Sequence, residues 1–211
     1  MRQFFKMLAT ILLLTLIAIP ARGHEQGDWI LRAGVGVVDP QGTAYTDPDD
    51  PTFQINIDRG TSATLTGAYM FSDNWAFEVL ASWPFSHDIN LEGVGKIAAT
   101  DHLPPTFSLQ YHFVPGGKFQ PYAGLGVNYT TFFNTDVEPI LPGATLDLDN
   151  SFGVAAQLGA DMMLNDKWLL NFDFRWISIE SDATLFDGVD SETVSISIDP
   201  LVYSVNLGYK F

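Results

Sequence analysis

The C-terminal segment of the chain constrains the fold most strongly, because its side chains alternate at every second position. Large apolar residues occupy the odd positions of 201–211, and small or polar residues occupy the even positions of 204–210. Successive side chains of a β-strand point to opposite faces, so one face of this segment is apolar and the other is polar. Such a strand is typical of a barrel wall between lipid and a polar interior.

Seven further segments show the same alternation, which brings the number of predicted strands to eight. These segments are 29–37, 64–71, 75–83, 107–113, 121–131, 152–162 and 171–176. Apolar stretches after residue 23 are interrupted by polar residues, so only a closed set of strands could cross a membrane. The pattern predicts an all-β fold, an eight-stranded antiparallel transmembrane β-barrel.

The connections between these strands alternate in length. Short turns are predicted at 72–74, 114–118 and 165–167, and long segments rich in Asp, Gly, Pro and Ser at 39–60, 86–102, 132–150 and 180–199. Bacterial outer-membrane barrels have short periplasmic turns and longer external loops. The long segments are therefore predicted to be external loops of a protein in the outer membrane of a Gram-negative bacterium.

The N-terminal residues have the features of a cleavable signal peptide. Arg2 and Lys6 precede a mainly apolar run at 7–19, and the small residues Ala21 and Gly23 follow it. This run is shorter than the roughly 20 residues that a spanning helix needs. We predict a signal peptide at 1–23 and a single barrel domain at 24–211, with cleavage after Ala21 as the alternative.

Composition excludes some functional classes. The net charge of −15 argues against nucleic acid as a partner, because phosphate binding needs clustered Lys and Arg. The chain contains no cysteine. No sequence motif indicates a cofactor or a metal site, and the pair Asp101 and His102 with Ser108 resembles a catalytic set only by proximity in sequence. The protein is expected not to be an enzyme.

The segments 102–106 and 119–133 resemble those of the OmpW family, which includes AlkL-type alkane importers. The resemblance extends from His24 and Glu25, through 32–34 and 78–81, to Asp199, Pro200 and the terminal 208–211. It implies an eight-stranded barrel whose apolar channel admits small hydrophobic molecules passively and releases them sideways through the wall. The alternatives are a narrow channel for small polar or zwitterionic solutes and a structural or receptor barrel.

Family resemblance and alternation together indicate the lining of the channel. Leu80 is predicted to face the lumen as an apolar gate, with simple filling of the interior as the alternative. Arg175 is expected opposite, where relatives can carry a Trp, and alternation turns Trp176 outward, which departs from a sealed apolar gate. A β-bulge could instead turn Trp176 inward as a gate residue. An interior bulge would shift the register of side chains by one residue.

The predicted inner face also carries charged and titratable groups that are expected to pair and plug the lower lumen. Together with Arg175 they are Arg32, Glu78, His112, Asp161, Asp173 and Lys210. Three prolines near the external rim lack the backbone donor of a β-ladder and mark a possible lateral seam. They are Pro104, Pro105 and Pro200.

Four kinds of partner are expected from this reading. Outer-membrane lipid and lipopolysaccharide surround the barrel, and small hydrophobic solutes are the cargo. Terminal Phe211, which follows alternating aromatic residues, resembles the signal read by the outer-membrane assembly machinery. The acidic external segments could bind divalent cations, although a solvated acidic surface is the simpler interpretation.

Overall fold

The computed structural model describes residues 22–211, and the predicted signal peptide lies outside them except for Arg22 and Gly23. Backbone hydrogen bonds organise this part of the chain into fifteen strands. They are β1 Trp29–Asp39, β2 Tyr45–Thr46, β3 Gln54–Ile57, β4 Gly60–Met70, β5 Trp75–Ser82, β6 Phe85–Leu91, β7 Gly95–Leu103, β8 Thr106–His112, β9 Phe119–Val137, β10 Thr145–Leu148, β11 Ser151–Met163, β12 Trp168–Ile177, β13 Glu180–Phe186, β14 Ser191–Ser197 and β15 Leu201–Lys210.

Eight of these strands close into a barrel in the order β1, β4, β5, β8, β9, β11, β12 and β15, with β15 paired again to β1. Every neighbouring pair is antiparallel. The predicted eight-stranded antiparallel barrel is confirmed. The largest difference in bounds is at β9, which was expected to end at residue 131 and extends to Val137.

The four segments expected to be long external loops contain strands of their own. The pairs β2 with β3, β6 with β7, and β13 with β14 are antiparallel, and β10 pairs with β13. Period-two apolar positions such as Leu146 and Leu148, or Ile196 and Ile198, explain why these acidic segments can still form half-buried strands. The barrel wall is therefore extended outward by a second layer of paired backbone.

Large apolar side chains cover the outer wall of the barrel. Val35, Leu125, Leu158 and Phe172 are among those that are exposed. Around the end that carries the short turns, aromatic rings pair across neighbouring strands. The pairs are Trp29 with Tyr69, Trp75 with Tyr111 and Trp168 with Tyr209, with ring centroids 4.8 to 5.0 Å apart. Such a girdle is expected where a barrel meets the lipid headgroups.

In the described part of the chain, no helix is long and apolar enough to span a membrane.

The interior divides into layers along the barrel axis. Near the short turns lies a small apolar cluster that includes Ile30, Met70 and Met163. Buried polar and charged side chains follow above it. A larger apolar cluster then fills the external rim and the base of the strand extensions, and it includes Phe85 and Ile177.

Candidate functional site

Five charged side chains from four strands meet in the lower half of the lumen. Arg32 of β1 donates from Nε and Nη2 to the two carboxylate oxygens of Asp161 in β11, at 3.1 and 2.5 Å. Its Nη1 reaches Glu78 Oε2 of β5 at 3.2 Å. Arg175 of β12 donates from Nη2 to Glu78 Oε1 at 2.8 Å and lies 3.4 Å from Asp173 Oδ1. Glu78 thus joins the two guanidinium groups, and we call these five residues the polar floor.

Neutral side chains satisfy the remaining oxygen atoms of the polar floor. Tyr122 Oη donates to Asp173 Oδ2 at 2.7 Å. Gln157 Nε2 lies 2.5 Å from the same oxygen atom and 3.1 Å from Glu78 Oε1. Asn171 Nδ2 in turn donates to Tyr122 Oη at 3.0 Å. The network fills the cross-section of an eight-stranded barrel, which is only wide enough for its own side chains.

Four members of the polar floor are almost completely removed from solvent, and the fifth, Asp173, is partly buried. Arg32, Arg175, Glu78 and Asp161 are each about 1% exposed or less. An ionised group that leaves water loses several kcal/mol of solvation, which excellent geometry and further hydrogen bonds must compensate. The pairing of the carboxylates with both guanidinium groups provides most of that compensation, and Arg175 Nη1 is the one guanidinium nitrogen in this network that has no hydrogen-bond partner within the described chain.

The lumen becomes apolar immediately above the polar floor. Leu80 is buried, and it shares a small cavity with Glu78, Arg175, Phe85 and Val38. By register, its neighbours across the wall are Thr66 and Thr106. Leu80 therefore marks the boundary between the charged and the apolar part of the interior.

A cavity of about 440 Å³ lies above this boundary, between the strand extensions. Its lining is apolar or aromatic except for Asp47 and Glu192. The lining residues include Phe53, Ile97, Leu146, Leu185 and Ile196. A cavity of this size and composition is in the range of pockets that bind small apolar ligands.

One part of the wall beside this boundary is interrupted. The ladder between β5 and β8 stops at the pair Leu80 and Thr106, and pairing resumes between β6 and β7 at Phe85 and His102. Three prolines lie in the two segments between these pairs. They are Pro84, Pro104 and Pro105. Since proline lacks a backbone donor, the nitrogen atoms of these three residues cannot contribute to a β-ladder, and we call this interruption the proline seam.

Pro200 lies in a different environment. Ile177 donates its backbone N–H to the Pro200 carbonyl at 3.2 Å, and Ile198 donates to the Ile179 carbonyl at 2.9 Å. The β12 and β15 strands therefore remain connected to the β13–β14 hairpin above them. Pro200 acts here as an acceptor within a continuous wall.

The other predicted site residues fall into two groups. Trp176 is about one-third exposed and lines an outer groove with Leu125 and Leu158, because β12 pairs without a bulge. Trp176 therefore faces outward, as alternation predicts, and the bulge that would have made it a gate residue is absent from β12. Lys210 is separate from the polar floor, near the short turns, where its Nζ donates to the Gly23 carbonyl at 2.7 Å and lies 3.3 Å from Asp28 Oδ2.

Two histidines lie together in the strand extension above the wall. The rings of His87 and His102 stack with centroids 4.8 Å apart, and Phe85 stacks on His102 at 5.5 Å. Burial, followed by the neighbouring His87, lowers the pKa of His102 to about 3. The carboxylate of Asp101 accepts hydrogen bonds from Ser86 and from Asn134 Nδ2. These contacts differ from those of a catalytic set, in which the carboxylate would orient the histidine ring.

Sequence reasoning missed the neutral members of this interior and the role of His24. Alternation places Tyr122, Gln157 and Asn171 on the inner face, but it does not reveal which carboxylates they contact. His24 was seen only as a predicted mature terminus, yet it is fully buried and its Nε2 donates to Asp161 at 2.7 Å. No sequence signal indicates this contact, because His24 precedes β1 and lies 137 residues from Asp161.

Comparison with known proteins places this geometry among outer-membrane barrels. The model of the OmpW family matches residues 25–211. The outer membrane protein W of Vibrio cholerae serotype O1 is 40% identical over 208 residues, which covers 94% of this chain and 95% of the relative. The crystal structure of OprG from Pseudomonas aeruginosa is similar with a TM-score of 0.83 and 38% identity, and covers 92% of this chain and 99% of that one.

A second solved structure is more distant in sequence. The solid-state NMR structure of the outer membrane protein AlkL in lipid bilayers has a TM-score of 0.69 and 27% identity, over 90% of this chain and 92% of that one. The similarity in both comparisons extends over nearly the full described chain.

Proposed function

This chain belongs to the OmpW family of outer-membrane β-barrels, and we propose that it takes up small hydrophobic molecules passively and releases them sideways through its wall. The observation that carries the proposal is the apolar cavity of about 440 Å³ above a closed, charged floor. Transport of small molecules fits the family. The hydrophobic cargo and its lateral exit, which the family resemblance implies, are the parts that we propose.

The two halves of the interior favour opposite kinds of solute. Each Å² of apolar surface removed from water contributes about 25 cal/mol, so the apolar cavity attracts hydrophobic molecules from the external solution. The same molecule would gain nothing from the polar floor, where it would have to replace paired charges whose separation costs several kcal/mol. A solute that has entered from outside is therefore expected to leave before it reaches Glu78.

The proline seam supplies a place for that exit. It begins at the level of Leu80, which is also where the lumen changes from charged to apolar. Pro104 lines the small cavity next to Leu80, so the seam and the interior adjoin. An opening there would lead from the apolar cavity into the hydrocarbon layer without passing the polar floor.

Uptake by cells tests the proposal. The rate of entry of a medium-chain alkane and of a polar solute of similar size is compared in cells with and without the protein. We expect faster entry of the alkane only. Acceleration of the polar solute alone would instead support a narrow polar channel, and no effect on either solute would support a structural or receptor barrel.

Variants locate the route. Ile196→Asp places a charge in the cavity lining, and Leu80→Asp places one at the boundary, so both should abolish the faster entry of the alkane. Val189→Asp is the matched control, because Val189 is 82% exposed at the tip of the same hairpin as Ile196. Normal alkane uptake in both interior variants, with protein levels unchanged in the membrane, would refute the route.

Partners follow from the location of the barrel. The exposed outer wall is expected to contact membrane lipid, and the acidic strand extensions are expected to face lipopolysaccharide. Phe211 is exposed at the end of β15, where its backbone N–H donates to the Trp29 carbonyl at 2.9 Å. Its accessibility supports recognition by the outer-membrane assembly machinery before the barrel closes.

A further inference from the structure

A group of metal-ligating side chains adjoins the polar floor on the side of the short turns and shares Asp161 with it. His24, His112 and Asp161 are all buried, and one ligand atom of each lies within 4.8 Å of a ligand atom of both others. The two imidazole rings meet edge to face with centroids 5.6 Å apart. The three residues are widely separated in sequence, so no spacing motif could reveal the group.

The carboxylate of Asp161 is already fully used. Its two oxygen atoms accept hydrogen bonds from Arg32 Nε and Nη2, from His24 Nε2 at 2.7 Å and from Asn171 Nδ2 at 2.8 Å. A carboxylate has about four acceptor sites. Asp161 is therefore suited to orient His24 and balance charge, and the two imidazoles are left as ligands.

Both imidazoles have their second nitrogen free. His24 Nε2 donates to Asp161, and His112 Nε2 lies 3.4 Å from Gln110 Oε1, so the lone pair of each ring is on Nδ1. Within residues 22–211, neither Nδ1 atom has a hydrogen-bond partner although both are buried. Buried polar atoms in folded proteins nearly always have a partner. The stacked rings of His87 and His102 also leave their Nε2 atoms without a partner in the described chain, but only the His24 and His112 pair forms a group with a buried carboxylate.

We propose that His24 and His112 bind one divalent transition-metal ion through Nδ1, with Asp161 holding the His24 ring from the opposite nitrogen. Imidazole nitrogen favours ions such as Zn²⁺, Ni²⁺ and Cu²⁺ over Mg²⁺ and Ca²⁺, which prefer oxygen. A histidine ligand that donates its other N–H to a carboxylate is a common arrangement around such metals.

The predicted cleavage after Gly23 would supply a third ligand. The backbone nitrogen of His24, now 3.2 Å from Gln120 Oε1, would become a terminal amine that can chelate an ion together with its own imidazole. Gln120 Nε2 also has no partner within the described chain, and a water molecule on the ion would accept its hydrogen bond. The site would then connect the mature terminus to β8 and β11.

The experiment measures Zn²⁺ binding to the purified barrel in detergent by calorimetry, with Ni²⁺ and Mg²⁺ as further probes. We expect one Zn²⁺ per chain, comparable binding of Ni²⁺ and no binding of Mg²⁺. His112→Gln and His24→Gln should each weaken Zn²⁺ binding at least 10-fold. The matched control His102→Gln changes the histidine of the strand extension and should bind Zn²⁺ as the unchanged protein does.

Folding of each variant is checked separately by the heat-dependent mobility of the barrel in gel electrophoresis. Two results would overturn the proposal. The first is the absence of Zn²⁺ binding by the folded, unchanged protein, which would assign the two nitrogen atoms to a bound water. The second is full binding by folded His112→Gln, or its loss in His102→Gln, which would place the ion among the external residues.

Two refolded chains with different N-termini test whether the terminal amine of His24 is a Zn²⁺ ligand. One begins at His24 and the other retains Gly23, which converts the amine into an amide. The chain that begins at His24 should bind Zn²⁺ at least 10-fold more tightly. Equal affinities would remove the backbone nitrogen from the set of ligands.

Discussion

The lower and the external halves of this barrel are built from the same alternating strands but filled in opposite ways. The lower lumen contains the polar floor, in which Arg32, Glu78 and Arg175 are joined by hydrogen bonds between strands. The external half contains apolar side chains and a cavity of about 440 Å³. The lower half is filled by paired charges, whereas the apolar free volume of the external half is where we propose that a guest binds.

The largest expected difference in stability between the two halves comes from removing the charge of Glu78, which joins Arg32 and Arg175. Glu78→Gln keeps the shape of the side chain but leaves Arg32 and Arg175 without their shared carboxylate, so the barrel should lose about 3–5 kcal/mol of stability. Urea unfolding in lipid vesicles measures the change. The control is Glu138→Gln, which breaks a half-exposed contact with Lys96 in the strand extension and should cost about 1 kcal/mol or less. Equal effects of the two substitutions would contradict a structural role for the polar floor.

Mild acid should loosen the external half selectively. The pKa of His102 is lowered to about 3 and that of His87 is lowered too, in both cases chiefly by burial and despite nearby Asp101. When β6 and β7 open, the two rings reach water and can take up protons at their ordinary pKa of about 6.5. The free energy of opening therefore falls as the pH drops below that value, by about 1.4 kcal/mol per pH unit for His102. At pH 5 the opening of β6 and β7 should be on the order of 2 kcal/mol easier than at pH 7.

Hydrogen exchange checks this pH dependence. After correction for intrinsic rates, the amides of β6 and β7 should lose protection between pH 7 and pH 5, while those between β1 and β15 keep theirs. His102→Phe preserves the stacking with Phe85 and removes the titrating group, so it should reduce the loss. An unchanged loss in this variant would exclude His102 as its source.

A smaller loss of stability is expected when a side chain of the cavity lining is shortened, and this loss should be confined to the strand extension. Ile196 is buried in the external apolar cluster and also lines the cavity. Ile196→Val should make opening of β13 and β14 easier by about 1 kcal/mol and leave unfolding of the barrel unchanged. Hydrogen exchange of this hairpin measures the change, with Val189→Ala as the exposed control. A uniform effect on all strands would mean that the two halves unfold as one unit.

Alternation predicted the barrel strands because a wall between lipid and lumen imposes period two on every residue. It also placed Glu78, Asp161 and Arg175 on the inner face, where the structure has them. Alternation carries no information about which inward side chains meet across the lumen, since partners such as Arg32 and Asp161 are 129 residues apart. The contacts of Tyr122 and Gln157 were beyond its reach for the same reason.

The strands of the external segments and the interruption of the wall could be predicted less well than the barrel strands. Asp, Gly and Pro at 39–60 and 180–199 indicate loops, and they obscured the apolar positions that pair as β3, β13 and β14. Trp176 was expected as a gate only with a bulge, and the regular pairing of β12 turns it outward. Local proline content also could not separate the interrupted ladder at Pro104 from the continuous one at Pro200.

The central claim is that cargo leaves through the proline seam, and a reversible cross-link across that seam tests it. The chain has no cysteine, so paired substitutions give one disulfide without background. Extending the register beyond Leu80 and Thr106 puts Ser82 opposite Pro104, so Ser82→Cys with Pro104→Cys would close the seam. Val35→Cys with Val205→Cys joins directly paired residues in an uninterrupted part of the wall and is the matched control.

Alkane uptake is then measured in the oxidised and the reduced form of each variant, after mass spectrometry has confirmed the cross-link. We expect oxidation across the seam to abolish the faster uptake and reduction to restore it, while the control is unaffected by either treatment. Undiminished uptake with the seam fully cross-linked would contradict exit through the wall at this place.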